Sequence, residues 1–115
     1  MAKATISQVK IKGIVRDLVN ELESRKIHVE KVILFGSYAQ GTPTAFSDID
    51  LAVISPSFGR KGILKIQEDL ARAASKYLSI IEPMGFSTQD FECADNASFL
   101  GEVKRKGKVV YSAHQ

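Results

Sequence analysis

Two apolar runs, residues 32–35 and 51–54, enclose the segment "GSYAQGTPTAFSDID", residues 36 to 50. The first run is unbroken, largely β-branched or aromatic and stopped by Gly36, which predicts a strand covered on both faces. Gly41, Pro43 and Ser47 mark a turn-rich excursion. "DIDLAVIS" then resumes as a second strand, polar at its start and apolar to Ile54. Two adjacent buried strands therefore bracket a side-chain-poor turn and a pair of like charges.

The flanking sequence supplies layers for such a sheet. From Ser7 to about Lys26, Ile11, Ile14, Val15, Leu18, Val19 and Leu22 recur at helical spacing and form one stripe of an amphipathic helix. A second helix is predicted from about Ile63 to Leu78, with Ile63, Ile66, Leu70, Ala73, Ala74 and Tyr77 inward and Lys65, Glu68, Asp69, Arg72 and Lys76 outward. "SIIEPMGF" reads as a third strand ending near Phe86, and Pro83 suggests a strand end or edge because it cannot donate to a central ladder. After a polar loop holding Asp90 and Glu92, Asn96 or Ser98 caps a short helix to about Lys106. Gly107 ends that helix at a left-handed position, and "KVVY" is a last short strand. The expected order is α-β-β-α-β-α plus that strand, an α/β (α+β) fold with a small mixed sheet flanked by helices.

With 115 residues, 44% of them hydrophobic and 25% charged, the chain suits one core and a single domain over 1–115. The net charge of +3 is spread among 13 acids, and basic residues cluster only at 104–108, too thin a patch to define a nucleic-acid binder. The one cysteine, Cys93, excludes an internal disulfide framework; it reads as a small, semi-buried side chain in a reducing compartment. No apolar run approaches the ~20 residues of a membrane span and no signal-peptide core is visible, so no membrane association and a cytoplasmic location are expected.

The chemistry lies in the enclosed segment. Gly36 and Gly41 have the spacing of a P-loop, but Thr42 and Pro43 follow where Lys and a hydroxyl residue are required. What remains is local physics: a glycine after a strand lets a ligand approach main-chain N–H groups, and Ser37 adds a hydroxyl. Asp48 and Asp50, two apart on a strand, leave the same face with Cα atoms about 6.5 Å apart. Two carboxylates that converge at a partly buried position need a shared proton or a cation, and Mg2+ suits oxygen ligands shared with phosphates. A calcium loop of EF-hand type is a weaker explanation, because it wants oxygen ligands at alternate positions and an early Gly whereas the segment continues Leu51, Ala52, Val53, Ile54. Taken alone, Gly-Ser also reads as a capped strand-to-loop turn, and Asp-x-Asp as a turn cap plus a surface ion pair. Glu82, behind Ile80 and Ile81, is the best third acid, because an acid at the end of an apolar strand is costly unless it faces solvent or a metal. Asp90 and Glu92 are its competitors.

Taken together, "LFGSYAQGTPTAFSDIDLAVI" resembles the minimal nucleotidyltransferases of the DNA polymerase β superfamily. The resemblance implies that Gly36 and Ser37 hold the terminal phosphates of ATP or another nucleoside triphosphate. It implies that Asp48 and Asp50 bind Mg2+, two ions in all, and that Glu82 completes the triad. The family's third acid is commonly Asp in an apolar setting, and many relatives carry Arg in the short helix where this chain has Tyr38 and Gln40. The activity implied is transfer of a nucleoside monophosphate, AMP from ATP, to a hydroxyl of a partner protein or RNA. Small members pair with a helical HEPN-type partner in toxin–antitoxin modules, which makes such a partner, or a second copy of the chain, the expected source of the acceptor side. The alternative implied is a catalytically idle nucleotide-binding antitoxin that acts by binding its partner.

Weaker features read structurally. Cations at 104–106 favour a helix C-terminus, although RNA contact would use them too. Arg60 and Lys61 could reach a triphosphate or simply be solvated. Tyr38 is expected to pack. His28 and His114 have no partner at ligand spacing.

Overall fold

The computed structural model describes residues 5–113; the chain ends, His114 among them, lie outside the described residues. Helix α1 (Gln8–Ser24) starts at Ser7, whose hydroxyl accepts from the Lys10 N–H at 3.2 Å. Its apolar stripe is buried from Ile11 to Leu22, as the periodicity predicts. There follow β1 (Lys31–Phe35), α2 (Gly36–Gln40), β2 (Ile49–Ile54), α3 (Ile63–Ala73), β3 (Ile81–Phe86), α4 (Thr88–Glu92), α5 (Phe99–Lys106) and β4 (Lys108–Ser112).

The strands form one mixed sheet in the order β3-β2-β1-β4. Strand β1 is antiparallel to both β2 and β4, whereas β3 runs parallel to β2, the pairing that the α3 crossover permits. One face packs Val32, Leu34, Leu51 and Val53 against Ile14, Leu18 and Leu22 of α1 and Ile66 and Leu70 of α3. The other face packs Ile33, Ala52 and Ile54 against Phe91 of α4 and Val103 of α5. Successive side chains along β1 and β2 thus enter two different cores, which explains why both runs are continuously apolar rather than alternating. Pro83 lies within β3, the edge strand. The carbonyls of Ile80 and Phe86 accept from β2 and its continuation. Odd-numbered Pro83 therefore turns its nitrogen outward, where no ladder bond is lost.

Several local expectations change. Helix α3 ends at Ala73 and gives way to a 3-10 turn, Ser75–Tyr77, instead of running on to Leu78. Ile63 is 80% exposed, because the first residue of α3 lies beyond the apolar face. Asp69 faces inward on the Ile66–Leu70–Ala73 stripe and is buried there. It pairs with Lys61 at 2.8 Å and Lys65 at 3.1 Å, which hold its carboxyl below the usual range. The expected polar loop after β3 contains α4, with Ser87 accepting from the Asp90 N–H at 3.0 Å and Phe91 buried; five residues are too few for periodicity to reveal. Ser98, rather than Asn96, caps α5. Cys93 is exposed.

Gly107 is not left-handed. Its φ of −75° and ψ of 166° are extended. Its glycine requirement is one of space: a Cβ there would lie 2.4 Å from Ile33 Cγ2 and 2.5 Å from the Val103 carbonyl oxygen. Gly107→Ala is expected to lower stability by about 1–3 kcal/mol through overpacking. Gly13, in α1 with open space around its Cα, should behave oppositely, with Gly13→Ala raising stability by roughly 0.5–1 kcal/mol. Urea unfolding of both variants checks the pair; equal effects would contradict this packing.

Candidate active site

Strand β1 delivers Phe35 directly opposite Asp50 of β2. The next residue, Gly36, takes φ +74°, a region that side-chain-bearing residues avoid. A Cβ at this position would sit 2.1 Å from Asp50 Oδ2. Only glycine therefore lets the turn and the carboxylate occupy adjoining space. Helix α2 begins at once, with extended Phe35 as its N-cap and no side-chain cap on its first turn. Gly41 closes α2 at φ +75°, and its N–H donates to the Ser37 carbonyl. A turn in which the Thr44 N–H donates to Ser47 Oγ at 2.9 Å returns the chain to Asp48.

Asp50 is half-buried and lies opposite Glu82 in the parallel β2–β3 register. Their side chains leave the same face, close enough for a hydrogen bond when one of the two carboxyls is protonated. Burial, the charge of Glu82, that hydrogen bond and the charge of Asp48 push the Asp50 carboxyl up to about 6. Asp48 is exposed and precedes β2 by one residue, so strand alternation governs Asp50 but not Asp48. Glu82 is exposed, at the solvent side of the pair. Asp90 and Glu92 lie on α4 instead, beyond the opposite end of β3, and are exposed.

Among the described residues, no three acidic, histidine or cysteine side chains converge into a ready-made metal cage. The donor set still fits a hard divalent cation. The charges that raise Asp50 are both carboxylates, Glu82 and Asp48, and Mg2+ is usually held by one or two carboxylates completed by substrate phosphates and water.

A cleft of about 490 Å³ adjoins this corner, lined by Phe35, Gly36, Gln40, Phe99, Glu102, Val103 and Lys106. The sequence reading passed over its α5 wall. The signal was present, since Phe99, Val103 and Lys106 recur at helical spacing along one side of "FLGEVKRK". Three of the other cations weighed from sequence have structural partners. Lys104 donates to the Phe91 and Glu92 carbonyls, Arg105 to the Asn96 carbonyl, and Lys61 to Asp69. Tyr38 is buried and its hydroxyl accepts from the Ile6 N–H at 3.1 Å, a packing role as expected. His28 lies beside Glu23, with Nδ1 3.3 Å from Oε2. Among the described residues no helix is long and apolar enough to cross a membrane.

A mixed sheet flanked by helices, with a glycine turn at the end of one strand and acids at the head of the next, defines a polymerase β-like nucleotidyltransferase core. The family model described as "Polymerase beta, Nucleotidyltransferase" matches residues 17–115, and the chain belongs to that family. It is 32% identical over 98 residues to "Putative protein adenylyltransferase MJ0604" of Methanocaldococcus jannaschii, covering 84% of this chain and 94% of the relative. A crystal structure of a "putative nucleotidyltransferase" from Sulfolobus solfataricus shares the fold with a TM-score of 0.66 at 17% identity, over 94% of this chain and 86% of that one. A toxin–antitoxin crystallised with AMP-PNP matches with a TM-score of 0.62 at 23% identity, over 90% of this chain and 75% of the other. A mutant of the toxin–antitoxin MntA-HpeT matches with a TM-score of 0.56 at 23% identity, over 96% and 77%.

The raised Asp50 pKa fixes a sign. The folded state binds this proton more tightly than the unfolded chain, so the stabilisation is present at low pH and is lost as pH rises from about 4 through about 6. Asp50→Asn should therefore melt above the wild type near neutral pH, by roughly 3 °C once solvent screening is allowed for. The difference should vanish near the ordinary carboxylate range, and differential scanning calorimetry across pH measures it.

Proposed function

We propose that the chain is an adenylyltransferase that moves AMP from ATP to a hydroxyl of a partner protein, with Asp48, Asp50 and Glu82 as its acidic centre and Gly36 and Ser37 as its phosphate turn. The observation that carries this reading is the register that sets Asp50 opposite Glu82 on one side and Phe35–Gly36 on the other. The name of the Methanocaldococcus relative favours a protein acceptor over RNA. The toxin–antitoxin neighbours favour a toxin as that partner, and the helical HEPN type is the one that the resemblance of the sequence implies.

In the transfer, the acceptor hydroxyl oxygen bonds to the α-phosphorus, the bond from that phosphorus to the bridging oxygen breaks, and pyrophosphate leaves. The Gly36–Ser37 turn positions the β- and γ-phosphates with main-chain N–H groups and the Ser37 hydroxyl. Asp48, Asp50 and Glu82 would hold Mg2+, which when bound offsets the negative charge of the triphosphate and of the departing pyrophosphate. Glu82, exposed at the solvent side of its pair with Asp50, takes up the proton of the incoming hydroxyl.

Incubation with α-labelled ATP, Mg2+ and the product of the adjacent gene should label that product. Asp48→Ala combined with Asp50→Ala should lower the rate on the order of 10²–10³-fold, as should chelation of Mg2+. Undiminished labelling by the double variant would overturn the assignment. Glu82→Gln separately tests the third acid, with a loss comparable to that of Asp50→Asn expected. A wild-type rate would remove Glu82 from the centre. Retained neutralisation of the partner by a variant that has lost transfer would identify the protein as a binding antitoxin instead.

A further inference from the structure

We infer that the cleft between α2 and α5 receives the nucleobase of the nucleoside triphosphate, with Phe99 as its stacking surface; this rests on the phosphate and acid centre proposed above. Three observations converge on it. The cleft shares Phe35 and Gly36 with the acid corner, so a ligand whose phosphates lie at Gly36 and Ser37 continues into it without a gap. Its volume of about 490 Å³ falls among small-molecule sites, which range over roughly 300–1,000 Å³ and are lined by aromatic groups with a few polar ones. Phe99 is 50% exposed, whereas Val103, one turn further along the same helix face, is 3% exposed.

Phe99 also packs against two other rings. It meets Phe35 edge-on, with centroids 5.5 Å apart and planes at 81°, and Phe86 at 6.4 Å. An aromatic ring braced on two neighbours and left half in water offers a preorganised platform, and stacking on such a ring accepts a base's π-face at little conformational cost. Gln40, Glu102 and Lys106 line the same cleft, the last two paired at 3.3 Å, and supply donors and acceptors for the edge of a base. The position of the base on α5 further places the acceptor hydroxyl on the opposite side of the phosphates, by Glu82.

Isothermal titration with the non-hydrolysable probe α,β-methylene ATP and, separately, inorganic tripolyphosphate, both with Mg2+, separates the base from the phosphates. Phe99→Leu keeps an apolar side chain of similar bulk against Phe35. It should bind the ATP analogue roughly 10-fold more weakly and tripolyphosphate as well as the wild type does. Phe99→Tyr should restore analogue binding. Unchanged analogue affinity in Phe99→Leu, with its melting temperature maintained, would overturn the inference, as would an equal loss for both ligands. Failure of the wild type to bind either ligand would instead remove the phosphate and acid reading beneath it. Should Phe99→Leu melt well below the wild type, Gln40→Ala, on the exposed end of α2, gives the same comparison. Selective loss of the analogue supports the pocket and equal affinity for it overturns it.

Discussion

The site depends on one close approach, that of the Gly36 Cα to the Asp50 carboxylate. Antiparallel register puts residues 35 and 50 side by side, and the backbone must turn sharply at the next residue to begin α2. Any side chain at 36 would occupy the space of Asp50 Oδ2. The positive φ compounds the restriction, because a left-handed backbone already costs a non-glycine residue about 1–2 kcal/mol. Two unrelated constraints, one conformational and one steric, therefore select the same residue.

Holding Asp50 half-buried beside the charges of Glu82 and Asp48 is unfavourable in isolation, and it pushes the Asp50 carboxyl up. The sheet tolerates it because the strands that carry the acids are anchored elsewhere. Ile49, Leu51, Ala52, Val53 and Ile54 are fully buried, and burying one such aliphatic side chain contributes about 1.5–3 kcal/mol. That outweighs the repulsion between half-exposed carboxyls, so Asp50 and Glu82 stay where their strands put them. The repulsion is a standing demand for positive charge, which connects the packing of the sheet to the chemistry proposed for its end.

The two faces of the sheet divide the work. Helices α1 and α3 close one face with a continuous apolar core. The shorter α4 and α5 cover the other only in part, and the cleft beside Gly36 lies there. Most cations of α5 serve that arrangement, with Lys104 tying α5 to α4 and Arg105 to the preceding turn. The basic end of the chain is accordingly a fastening for the wall of the cleft.

Long periodic segments were legible without a structure. The stripe of α1, the doubly covered β1 and β2, and the edge position of β3 marked by Pro83 all follow from spacing and residue type, because each is a local consequence of helix or strand geometry. Short elements were not, as α4 shows: five residues carry less than two turns of pattern. The inward position of Asp69 is not legible from spacing, because its compensation comes partly from Lys61, eight residues away on a loop. The helix-stop pattern at Gly107 implies a left-handed glycine, and only the contact with Ile33 across the α5–β1 junction reveals that its need is steric.

By itself, the sequence determined which residues could do the chemistry: a glycine turn after one buried strand, and two aspartates at the head of the next. It also offered Glu82 as a third acid without placing it. Parallel pairing of β3 with β2 decided that question of position, since one residue of slip would turn Glu82 to the opposite face. The cleft belongs wholly to the tertiary structure. Phe35 and Phe99 are 64 residues apart in sequence and meet only because the sheet and α5 fold onto each other, and no local pattern encodes an encounter between segments that distant.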